Sequence, residues 1–485
     1  MVMRLHELLE GWVGQAPAVE LTGVSLDNRQ IEAGEAFVAV QGMASHGMDY
    51  AAAAVASGAV AVIHDGLRTI PDLGVPAVKV DGLGGKLGEL GSRFYAAPSE
   101  LMTIAGVTGT NGKTSVAHFL AQSWQRVYGH AGMIGTLGYG PVGKLRAPTR
   151  TTPDALQLQR VLSDCLKAGV ERLAMEVSSH ALQQQRCQTV QFDAAIFTNL
   201  SRDHLDYHLD MESYAAAKRL LFTDYAPPFA IINYDDEYGR KWFGELNGGM
   251  QVLSFGFGEG AELRAEVRSM DVSGMTVRIS GPWGAEEIHT CLLGEFNASN
   301  LLATAGTLAL LGMPWDQVLH QLELMQPVPG RMMRMGGDAG QPVVVIDYAH
   351  TPDALTSALQ AVRAHLDGKL VCVFGCGGNR DQGKRSQMGR AAEQLADDVF
   401  VTSDNPRNES ASKIIEDVVA GFEMPGNAMI EPDRATAIRQ AIANCKPGDV
   451  VLVAGKGHET WQEIGGQKIP FSDEKTVREA LGDAA

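Results

Sequence analysis

A glycine-rich segment, GTNGKTS at residues 109–115, contains the residue types that bind a phosphate chain. It follows an apolar, strand-like run and opens a helical one, which is the context that this motif requires. Glycines let the backbone turn so that its N–H groups face an anion, and the helix N-terminus adds positive partial charge. Lys113 could then reach the outer phosphates, and the Thr114 hydroxyl could ligate Mg2+. The segment predicts an ATP-Mg site, although Val107 stands where a strict P-loop has its first glycine.

Acidic and histidine side chains follow the next two strand-like runs. Glu176 ends RLAMEV, and Asp203 and His204 come shortly after AAIFTN. A carboxylate at the end of a parallel strand, near a phosphate loop, is placed to hold Mg2+ or to orient a nucleophile. His204 and His208 have an i,i+4 spacing, but Leu205 stands where a zincin has glutamate, so zinc is not favoured. A hydrogen-bonded structural role is the ordinary expectation for such a histidine.

Length and composition limit the classes of protein that can carry these groups. The 485 residues exceed what one hydrophobic core can organise, so two or three domains are expected. A net charge of −17 without a Lys/Arg run argues against a nucleic-acid partner. Six dispersed cysteines predict free thiols in a reducing, cytoplasmic setting. The most apolar stretch, residues 51–63, is too short for membrane insertion.

The elements that must position these groups form three α/β regions. We predict a small α/β domain at 1–98, a central P-loop-like parallel-sheet ATPase domain at 99–329, and a C-terminal Rossmann-like domain at 330–485. Strand patterns occur at 36–40, 59–63, 101–107, 172–177, 194–199, 229–233, 343–347, 370–375, 398–402 and 449–455. Helical patterns occur at 51–57, 113–125, 298–312, 353–366, 386–396, 410–421 and 433–444. We also expect a short amphipathic helix at the N-terminus and an antiparallel appendage at 251–293.

Five motifs in order resemble the Mur ligases: GTNGKTS, MEVSSHAL, FTNLSRDHLDYH, GEFNASNLLATAG and DYAHTPDAL. The resemblance runs from about residue 21 to about residue 475 and is closest to the branch that adds the third residue of the peptidoglycan stem peptide. In this family the peptide carboxylate attacks the γ-phosphate of ATP, and the incoming amine then displaces phosphate from the acyl phosphate. The resemblance therefore implies a monomeric, ATP- and Mg2+-dependent ligase that forms an amide bond.

The resemblance assigns the ATP and metal sites residue by residue. ATP would contact Gly109, Thr110, Asn111, Gly112, Lys113, Thr114, Asn297, Arg331 and Asp347, with His350 in the same DYAH motif. The catalytic set would be Lys113, Glu176, His204 and Lys218, and the Mg2+ ligands Thr114, Glu176, His204 and the carbamate of Lys218. By its pattern alone, Lys218 in SYAAAKRLLF is an ordinary helix-surface lysine. It matches the family lysine that is carbamylated, and a carbamate offers the anionic oxygens that an ammonium lacks.

A UDP-N-acetylmuramoyl-dipeptide, UDP-MurNAc-L-Ala-D-Glu, is the nucleotide substrate that the resemblance implies. Its expected contacts are Leu26, Asn28, Met43, Ala44, Ser45, Thr151, Thr152, Ser178, Gln184 and Arg186. Asn28 stands where serine is usual, and residues 43–45 depart from the commoner version that contains histidine. Arg150 stands where asparagine is common, so no contact is assigned to it.

The tetrapeptide DNPR at 404–407 indicates which amino acid is added. Asp404 and Asn405 can accept from an ammonium, and Arg407 can hold a carboxylate through two parallel hydrogen bonds. The far end of meso-diaminopimelate carries both groups, whereas lysine lacks the carboxylate and would leave Arg407 unpaired. DNPR also resembles the signature of the diaminopimelate-adding members. The full expected contact set is Arg380, Asp404, Asn405, Pro406, Arg407, Gly455 and Glu459.

Three alternatives remain open at this point. The first is a lysine-adding synthetase of the same family. The second is folylpolyglutamate synthetase, a relative that shares the phosphate loop and the lysine, against which DNPR and the uridine-type first region argue. The third is a nucleotide-dependent binding module that forms no amide product.

Overall fold

A computed structural model describes residues 2–43, 45–148, 150–246, 249–337 and 340–482. The chain packs into two compact units, one of residues 1–262 with 303–313 and the other of 263–302 with 314–485. The domain boundaries expected after residues 98 and 329 stay predictions. All six cysteines are free thiols. Within the described ranges, none of the helices has the length and apolar character needed to cross a bilayer.

The first 98 residues form a three-layer α/β arrangement around a parallel sheet of order β3-β4-β5-β6. The strands are β1 Met3–Arg4, β2 Glu20–Leu21, β3 Gly23–Ser25, β4 Glu35–Ala39, β5 Ala61–His64 and β6 Ala77–Lys79, and the helices α1 Leu5–Leu8, α2 Ala51–Ala56 and α3 Leu87–Tyr95. Alternate strand residues face opposite layers: Val38 packs in the cluster that contains α3, and Phe37 in the cluster that contains α2.

The prediction of an amphipathic helix at the N-terminus is correct only for the single turn Leu5–Leu8. Met3 and Arg4 instead pair in antiparallel fashion with Leu21 and Glu20. The alternating apolar residues at 1–14 fit either structure, and the partner strand decides between them.

A mainly parallel sheet forms the rest of the first unit, in the order β13-β12-β11-β7-β10-β8-β9, and only β9 runs antiparallel. Its strands are β7 Thr103–Thr108, β8 Ala131–Gly135, β9 Gly138–Pro141, β10 Arg172–Glu176, β11 Ala194–Phe197, β12 Phe229–Asn233 and β13 Gln251–Gly256. The helices are α4 Lys113–Tyr128, α5 Ala155–Lys167, α6 Ser179–Gln183, α7 Met211–Thr223 and α8 Glu237–Glu245. Since β7 lies between β10 and β11, the segments that follow these three strands meet at one edge.

The antiparallel appendage predicted at 251–293 is only partly confirmed. Strands β14 Leu263–Asp271, β15 Gly274–Gly281 and β16 Gly284–Thr290 are antiparallel, as expected. Strand β13, however, pairs parallel to β12 and is buried over most of its length. Its short apolar run is compatible with both kinds of sheet, so the pattern could not assign it.

The second unit contains a doubly wound sheet of order β17-β18-β22-β19-β20-β21, in which only β17 is antiparallel. Its strands are β17 Met333–Gly336, β18 Val343–Asp347, β19 Leu370–Phe374, β20 Asp398–Val401, β21 Ala428–Ile430 and β22 Val450–Ala454, followed by the hairpin β23 Trp461–Ile464 and β24 Gln467–Pro470. Helix α9 Glu295–Leu310 begins in this unit and ends in the first. The other helices of the second unit are α10 Trp315–Glu323, α11 Pro352–Arg363, α12 Gly383–Leu395, α13 Ala411–Val419, α14 Arg434–Ala443 and α15 Asp473–Leu481. Helices α11, α12 and α13 cover one face of the sheet, and α14 and α15 cover the other. The Rossmann-like prediction is confirmed.

A fully buried ion pair ties the last helix to this sheet. Arg434 donates from Nε and Nη2 to the two carboxylate oxygens of Asp473, at 2.7 and 2.8 Å, and both side chains have 0% exposure. Arg434 Nη2 also donates to the carbonyl of Ala454 at the end of β22. The pair therefore fixes the first turn of α15 beside the strand end from which Gly455 continues.

We expect Asp473→Asn to destabilise the second unit by about 3 kcal/mol, because removing one member of a buried pair leaves an uncompensated charge. Urea unfolding followed by circular dichroism measures the loss, and hydrogen exchange of β22 and α15 locates it. The matched control is Glu474→Gln on the same helix, whose exposed pair with Arg478 contributes less than about 1 kcal/mol. Equal losses in the two variants would contradict this account of the pair.

Candidate active site

The phosphate loop lies between β7 and α4 and is braced by the segment that follows β11. Gly109 has φ +148°, and a Cβ there would overlap the hydroxyl of Thr198. Thr110 N donates to the Asn199 carbonyl at 2.8 Å, and Asn111 N donates to the Asn199 side-chain oxygen at 2.9 Å. The loop conformation therefore depends on Gly109 and on Thr198 and Asn199, which follow the neighbouring strand β11.

Two lysines converge on this loop. Lys113 Nζ donates to the carbonyls of Gly109 and Thr110, at 2.9 and 2.8 Å. Lys218 Nζ donates to the same Gly109 carbonyl at 2.7 Å. The ammonium of Lys113 at this strand–helix turn creates a local field suited to a polyphosphate, and the Lys218 amine lies beside it.

Lys218 is not the surface residue that its helix pattern indicates. Its side chain, on α7, is 1% exposed, and Nζ lies 4.4 Å from the centroid of the Tyr214 ring. Burial lowers the pKa of Lys218 to about 6, with the charge of Lys113 acting in the same direction and that of Asp203 opposing it. A largely neutral amine at neutral pH is the nucleophilic form that carbamylation by CO2 requires.

Glu176 is a buried carboxylate held by hydroxyl and amide donors. Its Oε2 accepts from Thr114 Oγ1 at 2.9 Å and from Thr136 Oγ1 at 3.2 Å, and its Oε1 accepts from Thr136 N at 2.7 Å. Burial raises the pKa of Glu176, whereas the charge of Lys113 and these hydrogen bonds oppose the shift. The Glu176 carboxylate and the Thr114 hydroxyl form an oxygen pair beside the loop, which is the donor type that Mg2+ prefers.

Three histidines follow Glu176 in the sequence, and they differ in exposure and in contacts. His204 is half-exposed, and its backbone has φ +53°. The centroid of its ring lies 5.0 Å from that of the His180 ring, in an edge-to-face arrangement. His208 is buried, and its Nε2 lies 2.9 Å from Ser179 Oγ, so it has the structural role expected of a histidine here. Burial, reinforced by the neighbouring imidazoles, lowers the pKa of His180 to about 4.

No three His, Cys, Asp or Glu side chains converge into a preformed metal centre in the part of the chain that the structure describes. Mg2+ does not require one, because it usually takes one or two protein oxygens and completes its shell with water and phosphate. The Thr114–Glu176 pair fits that requirement, and a carbamate on Lys218 would add anionic oxygens.

Several residues predicted to bind the muramoyl peptide are joined by hydrogen bonds. Thr152 Oγ1 donates to the Glu176 carbonyl at 2.9 Å and accepts from Ser178 N at 3.1 Å. Arg186 Nη1 donates to the Thr152 carbonyl at 2.9 Å. The Thr151 hydroxyl lies 3.5 Å from that of Thr136, which binds Glu176. The predicted cluster is therefore continuous with the Glu176 site.

Gln184 extends this cluster toward the first 98 residues. Its side-chain oxygen accepts from Arg186 Nη2 at 2.6 Å, and its Nε2 donates to Tyr207 OH at 3.0 Å. Gln184 Nε2 also lies 3.8 Å from the sulfur of Met43, which is otherwise exposed. Ser45 accepts a hydrogen bond from Tyr50, whereas Ala44 lies outside the described residues.

Leu26 and Asn28 lie in the segment that follows β3. Asn28 begins a single 3-10 turn, capped by the Asp27 carboxylate, which accepts from Arg29 N at 3.0 Å. Leu26 lines a cavity of about 670 Å3 whose other wall is formed by α5 and β9. The structure thus places Leu26 at a cavity large enough for a small ligand.

The predicted nucleotide residues of the second unit are held by their own neighbours. Asp347, at the end of β18, accepts from Met332 N and Ala349 N, each at 2.8 Å. Arg331 places its guanidinium 4.9 Å from the centroid of the Tyr348 ring. His350 lies with Nδ1 2.8 Å from the carbonyl of Tyr348. Asp347 therefore orders the segments that carry Arg331 and His350.

Asn297, the remaining predicted nucleotide residue, is buried near the start of α9. Its Nδ2 donates to the Leu293 carbonyl at 2.8 Å, and its Oδ1 accepts from Asn300 Nδ2 at 3.0 Å.

The DNPR segment follows β20 and meets the loop that follows β22. Gly455 has φ +116°, and a Cβ there would lie 2.7 Å from Asp404 Oδ2. Asp404 is buried, burial raises its pKa, and no described residue donates a hydrogen bond to its carboxylate. Arg434 and Lys456 provide the opposing positive charges. The Asp404 carboxylate therefore has unused acceptor capacity and is influenced by two nearby cations.

Asn405, which is predicted to contact diaminopimelate, is hydrogen-bonded to three neighbouring residues. Its Oδ1 accepts from Lys456 Nζ at 3.1 Å and from Glu463 N at 2.9 Å, and its Nδ2 donates to Glu459 Oε2 at 2.9 Å. Lys456, which is fully buried, also donates to Glu459 Oε2 at 2.7 Å. Both lone-pair directions of the amide oxygen are thus occupied in this structure, and the amide nitrogen of Asn405 holds Glu459.

Arg407 is held in a left-handed conformation, with φ +53°. Its Nη1 donates to the Gly378 carbonyl at 2.8 Å, and its Nε lies 3.4 Å from Glu463 Oε2. Pro406 is buried beside Gly378, and Arg380 lies exposed on the loop between β19 and α12. The structure therefore groups the predicted residues 404–407, 455 and 459, with Arg380 on an adjoining loop.

Sequence reasoning missed several residues that complete these sites. Thr136 holds Glu176, Tyr214 lies against Lys218, and Glu463 faces Arg407. Lys456 stands within the motif AGKGHE, so the motif itself could have directed attention to it. The other three have no distinctive local pattern.

The turn between β7 and α4, with Lys113, Thr114 and a carboxylate at the neighbouring strand end, defines a nucleoside-triphosphate-binding protein of the P-loop type. Three family models match the chain: "Mur ligase family, catalytic domain" over residues 20–95, "Mur ligase middle domain" over 107–308, and "Mur ligase, glutamate ligase domain" over 330–457. The chain belongs to the Mur ligase family.

Two curated relatives are similar along nearly the whole chain. The UDP-N-acetylmuramoyl-L-alanyl-D-glutamate--2,6-diaminopimelate ligase of Xanthomonas campestris pv. campestris (strain 8004) is 45% identical, over 99% of this chain and 97% of its own. The ligase of the same name from Coxiella burnetii is 44% identical, over 96% of each chain.

Solved structures agree with the fold. A structure of a UDP-N-acetylmuramoyl-L-alanyl-D-glutamate--2,6-diaminopimelate ligase superposes with a TM-score of 0.74 at 33% identity, over 99% of both chains. The MurF ligase of Thermotoga maritima in complex with ADP has a TM-score of 0.65 at 18% identity, over 95% of this chain and 97% of that one. The second likeness shows the fold alone.

We expect the contribution of Lys218 to the stability of the unmodified protein, read as the difference between wild type and Lys218→Met, to rise with pH between about 6 and about 10, because the folded pKa of Lys218 lies below that of the unfolded chain. In this window the unfolded state binds one more proton than the folded state, so raising the pH favours folding. The urea midpoint, measured at pH 7 and pH 9.5 in CO2-free buffer, tests this. Lys218→Met should be at least as stable as wild type at pH 7 and should lose that part of the pH dependence. An identical pH dependence of the urea midpoint in the two proteins would show that the pKa of Lys218 is not lowered by burial.

Proposed function

We propose that the chain is an ATP-dependent ligase that adds meso-2,6-diaminopimelate to UDP-N-acetylmuramoyl-L-alanyl-D-glutamate, releasing ADP and phosphate. The observation that carries this proposal is the similarity of the full chain, at 45% identity, to a curated ligase of that name. The arrangement of Asp404, Glu459 and Arg407 supports the choice of amino acid.

The first unit would carry out the activation step. The glutamyl carboxylate of the nucleotide substrate is a poor electrophile, and its attack on the γ-phosphate of ATP makes an acyl phosphate with a good leaving group. The loop amides and Lys113 would neutralise the phosphate charge, which is the main contribution a protein makes to phosphoryl transfer. Thr152, Ser178, Gln184 and Arg186 would orient the peptide.

Mg2+ would be held by Thr114, Glu176, His204 and the carbamate of Lys218, and it would neutralise charge on the phosphates. The buried, neutral amine of Lys218 supports carbamylation, and the Glu176 carboxylate supports a cation next to the loop. The amine of diaminopimelate would then attack the acyl carbon, and phosphate would leave.

The second unit would select the amino acid. Asp404 and Glu459 offer open carboxylate oxygens for an ammonium, with Lys456 and Asn405 fixing Glu459. Arg407 retains Nη2 without a partner among the described residues, so its guanidinium can bind a carboxylate. Arg380, Pro406 and Gly455 would complete the contact set, and Asn297, Arg331 and Asp347 would complete that of ATP.

We further propose that the protein acts in the cytoplasm as a monomer, because its expected nucleotide substrate is a soluble precursor. The domains would be those predicted, with boundaries after residues 98 and 329.

Incubation with ATP, UDP-MurNAc-dipeptide and either meso-diaminopimelate or lysine, followed by mass spectrometry of the product, tests the function. We expect the diaminopimelate-containing tripeptide and little lysine product, because a site built to bind the second carboxylate disfavours an analogue without it. Equal use of lysine would identify a lysine-adding synthetase. If a folate were the only acceptor, the protein would be a folylpolyglutamate synthetase. If it bound nucleotide but formed no amide product, it would be a nucleotide-dependent binding module.

We expect Lys218→Ala to lose most ligase activity, because the metal site would lack its carbamate oxygens. Formate or acetate added to this variant should restore part of the activity, since a small carboxylate can occupy the vacated space. ADP release measured with and without the added acid gives the result. The variant Lys241→Ala, at an exposed position on α8, is the control and should retain full activity without the acid. Full activity of Lys218→Ala would exclude Lys218 from the mechanism.

A further inference from the structure

Glu463 has no role in the proposed reaction, yet it lies against the residue that would select the substrate. It is on β23, and its Oε2 lies 3.4 Å from Arg407 Nε. The two side chains are 25% and 21% exposed, so the pair is partly shielded from water. A carboxylate of the protein therefore occupies the neighbourhood in which a substrate carboxylate would be bound.

The backbones of the two residues are locked together. Arg407 N donates to the Glu463 carbonyl at 2.9 Å, and Gly465 N donates to the Arg407 carbonyl at 2.7 Å. Glu463 N donates to Asn405 Oδ1, which joins the hairpin to the DNPR segment a third time. These bonds hold the two backbones side by side, so rotation of the two side chains is the direct way to change the distance between the carboxylate and the guanidinium.

The contact between Glu463 and Arg407 is weaker than the bond that a ligand could form. A carboxylate bound in parallel by two N–H groups of arginine makes two bonds of about 2.8 Å. Glu463 makes a single contact at 3.4 Å, and Nη2 has no protein partner among the described residues. A ligand carboxylate can therefore displace Glu463 and gain both bonds.

A second cation is available to the displaced carboxylate. Lys468 on β24 is directly opposite Glu463 in the hairpin register, and directly opposed side chains lie on the same face. Lys468 Nζ lies 4.2 Å from the centroid of the Trp461 ring, two residues before Glu463. Glu463 can exchange Arg407 for Lys468 by side-chain rotation alone.

We propose that Glu463 is a placeholder carboxylate and a specificity-determining residue: it pairs with Arg407 until the distal carboxylate of the amino-acid substrate displaces it toward Lys468. This inference rests on the proposed diaminopimelate site. It changes the expected discrimination against lysine. Bound lysine would leave the Arg407–Glu463 pair intact, so the guanidinium would keep a carboxylate partner. The placeholder therefore weakens diaminopimelate binding and softens the rejection of lysine.

The variant Glu463→Gln tests the placeholder role, since it keeps the shape and removes the charge. We expect the KM for diaminopimelate to fall about two- to fivefold, the range for a partly exposed ion pair, with kcat and the KM for ATP unchanged. Use of lysine relative to diaminopimelate should fall as well, because Arg407 then lacks a carboxylate in the lysine complex. A higher KM for diaminopimelate would mean that Glu463 positions Arg407 or binds the substrate ammonium, and that result, like an unchanged KM, would overturn the proposal.

Two further variants sharpen the experiment. Lys468→Gln removes the cation that would receive Glu463, so the KM for diaminopimelate should rise. Glu416→Gln is the matched control, because its carboxylate pairs with Lys413 on an exposed face of α13 and its loss should change nothing. A KM that does not move in Lys468→Gln would overturn the exchange between the two cations.

The wild-type enzyme separates this inference from the function on which it rests. If wild type does not use diaminopimelate, the proposed function and the placeholder both fail. If wild type uses it and Glu463→Gln behaves as wild type, only the placeholder fails. In the Arg407→Met background, Glu463→Gln should have no effect on the KM, because the charge that it pairs with is gone.

Discussion

The parallel pairing of β7 with β10 on one side and β11 on the other is the constraint on which the first unit depends. It brings the phosphate loop, Glu176 and the segment TNLSRDH to the same sheet edge. Thr198 and Asn199 at that edge hold the loop backbone, and Thr114 on α4 reaches Glu176. A shift in the register of any of the three strands would separate groups that the proposed function requires to lie together.

Burial turns ordinary side chains at this edge into reactive ones. Lys218 and Glu176 are removed from water by the same packing, and their pKa values move in the directions that favour the neutral forms. In the proposed function, a bound cation would favour the ionised carboxylate of Glu176, and carbamylation would convert the neutral amine of Lys218 into an anionic metal ligand.

The second unit uses buried cations in a similar way. Arg434 is neutralised by Asp473, Lys456 by Glu459, and both lie behind Asp404. Arg434 and Lys456 oppose the rise in the pKa of Asp404 that burial causes, and no described residue donates a hydrogen bond to its carboxylate oxygens. Lys456 and Asn405 both donate to Glu459 and so fix the position of its carboxylate.

The sequence by itself determined the α/β class, the strand–loop–helix context of GTNGKTS and the order of the motifs, because these depend on local periodicity and on short runs of residue types. It could not determine the pairing of β13, the burial of Lys218 or the partners of Asn405 and Arg407. Those depend on which distant segments meet, since Lys218 contacts Gly109 and Arg407 contacts Glu463 only once the sheets have formed. The pattern around Lys218 is that of a surface helix; only tertiary packing makes it an amine with a pKa of about 6 beneath a phosphate loop.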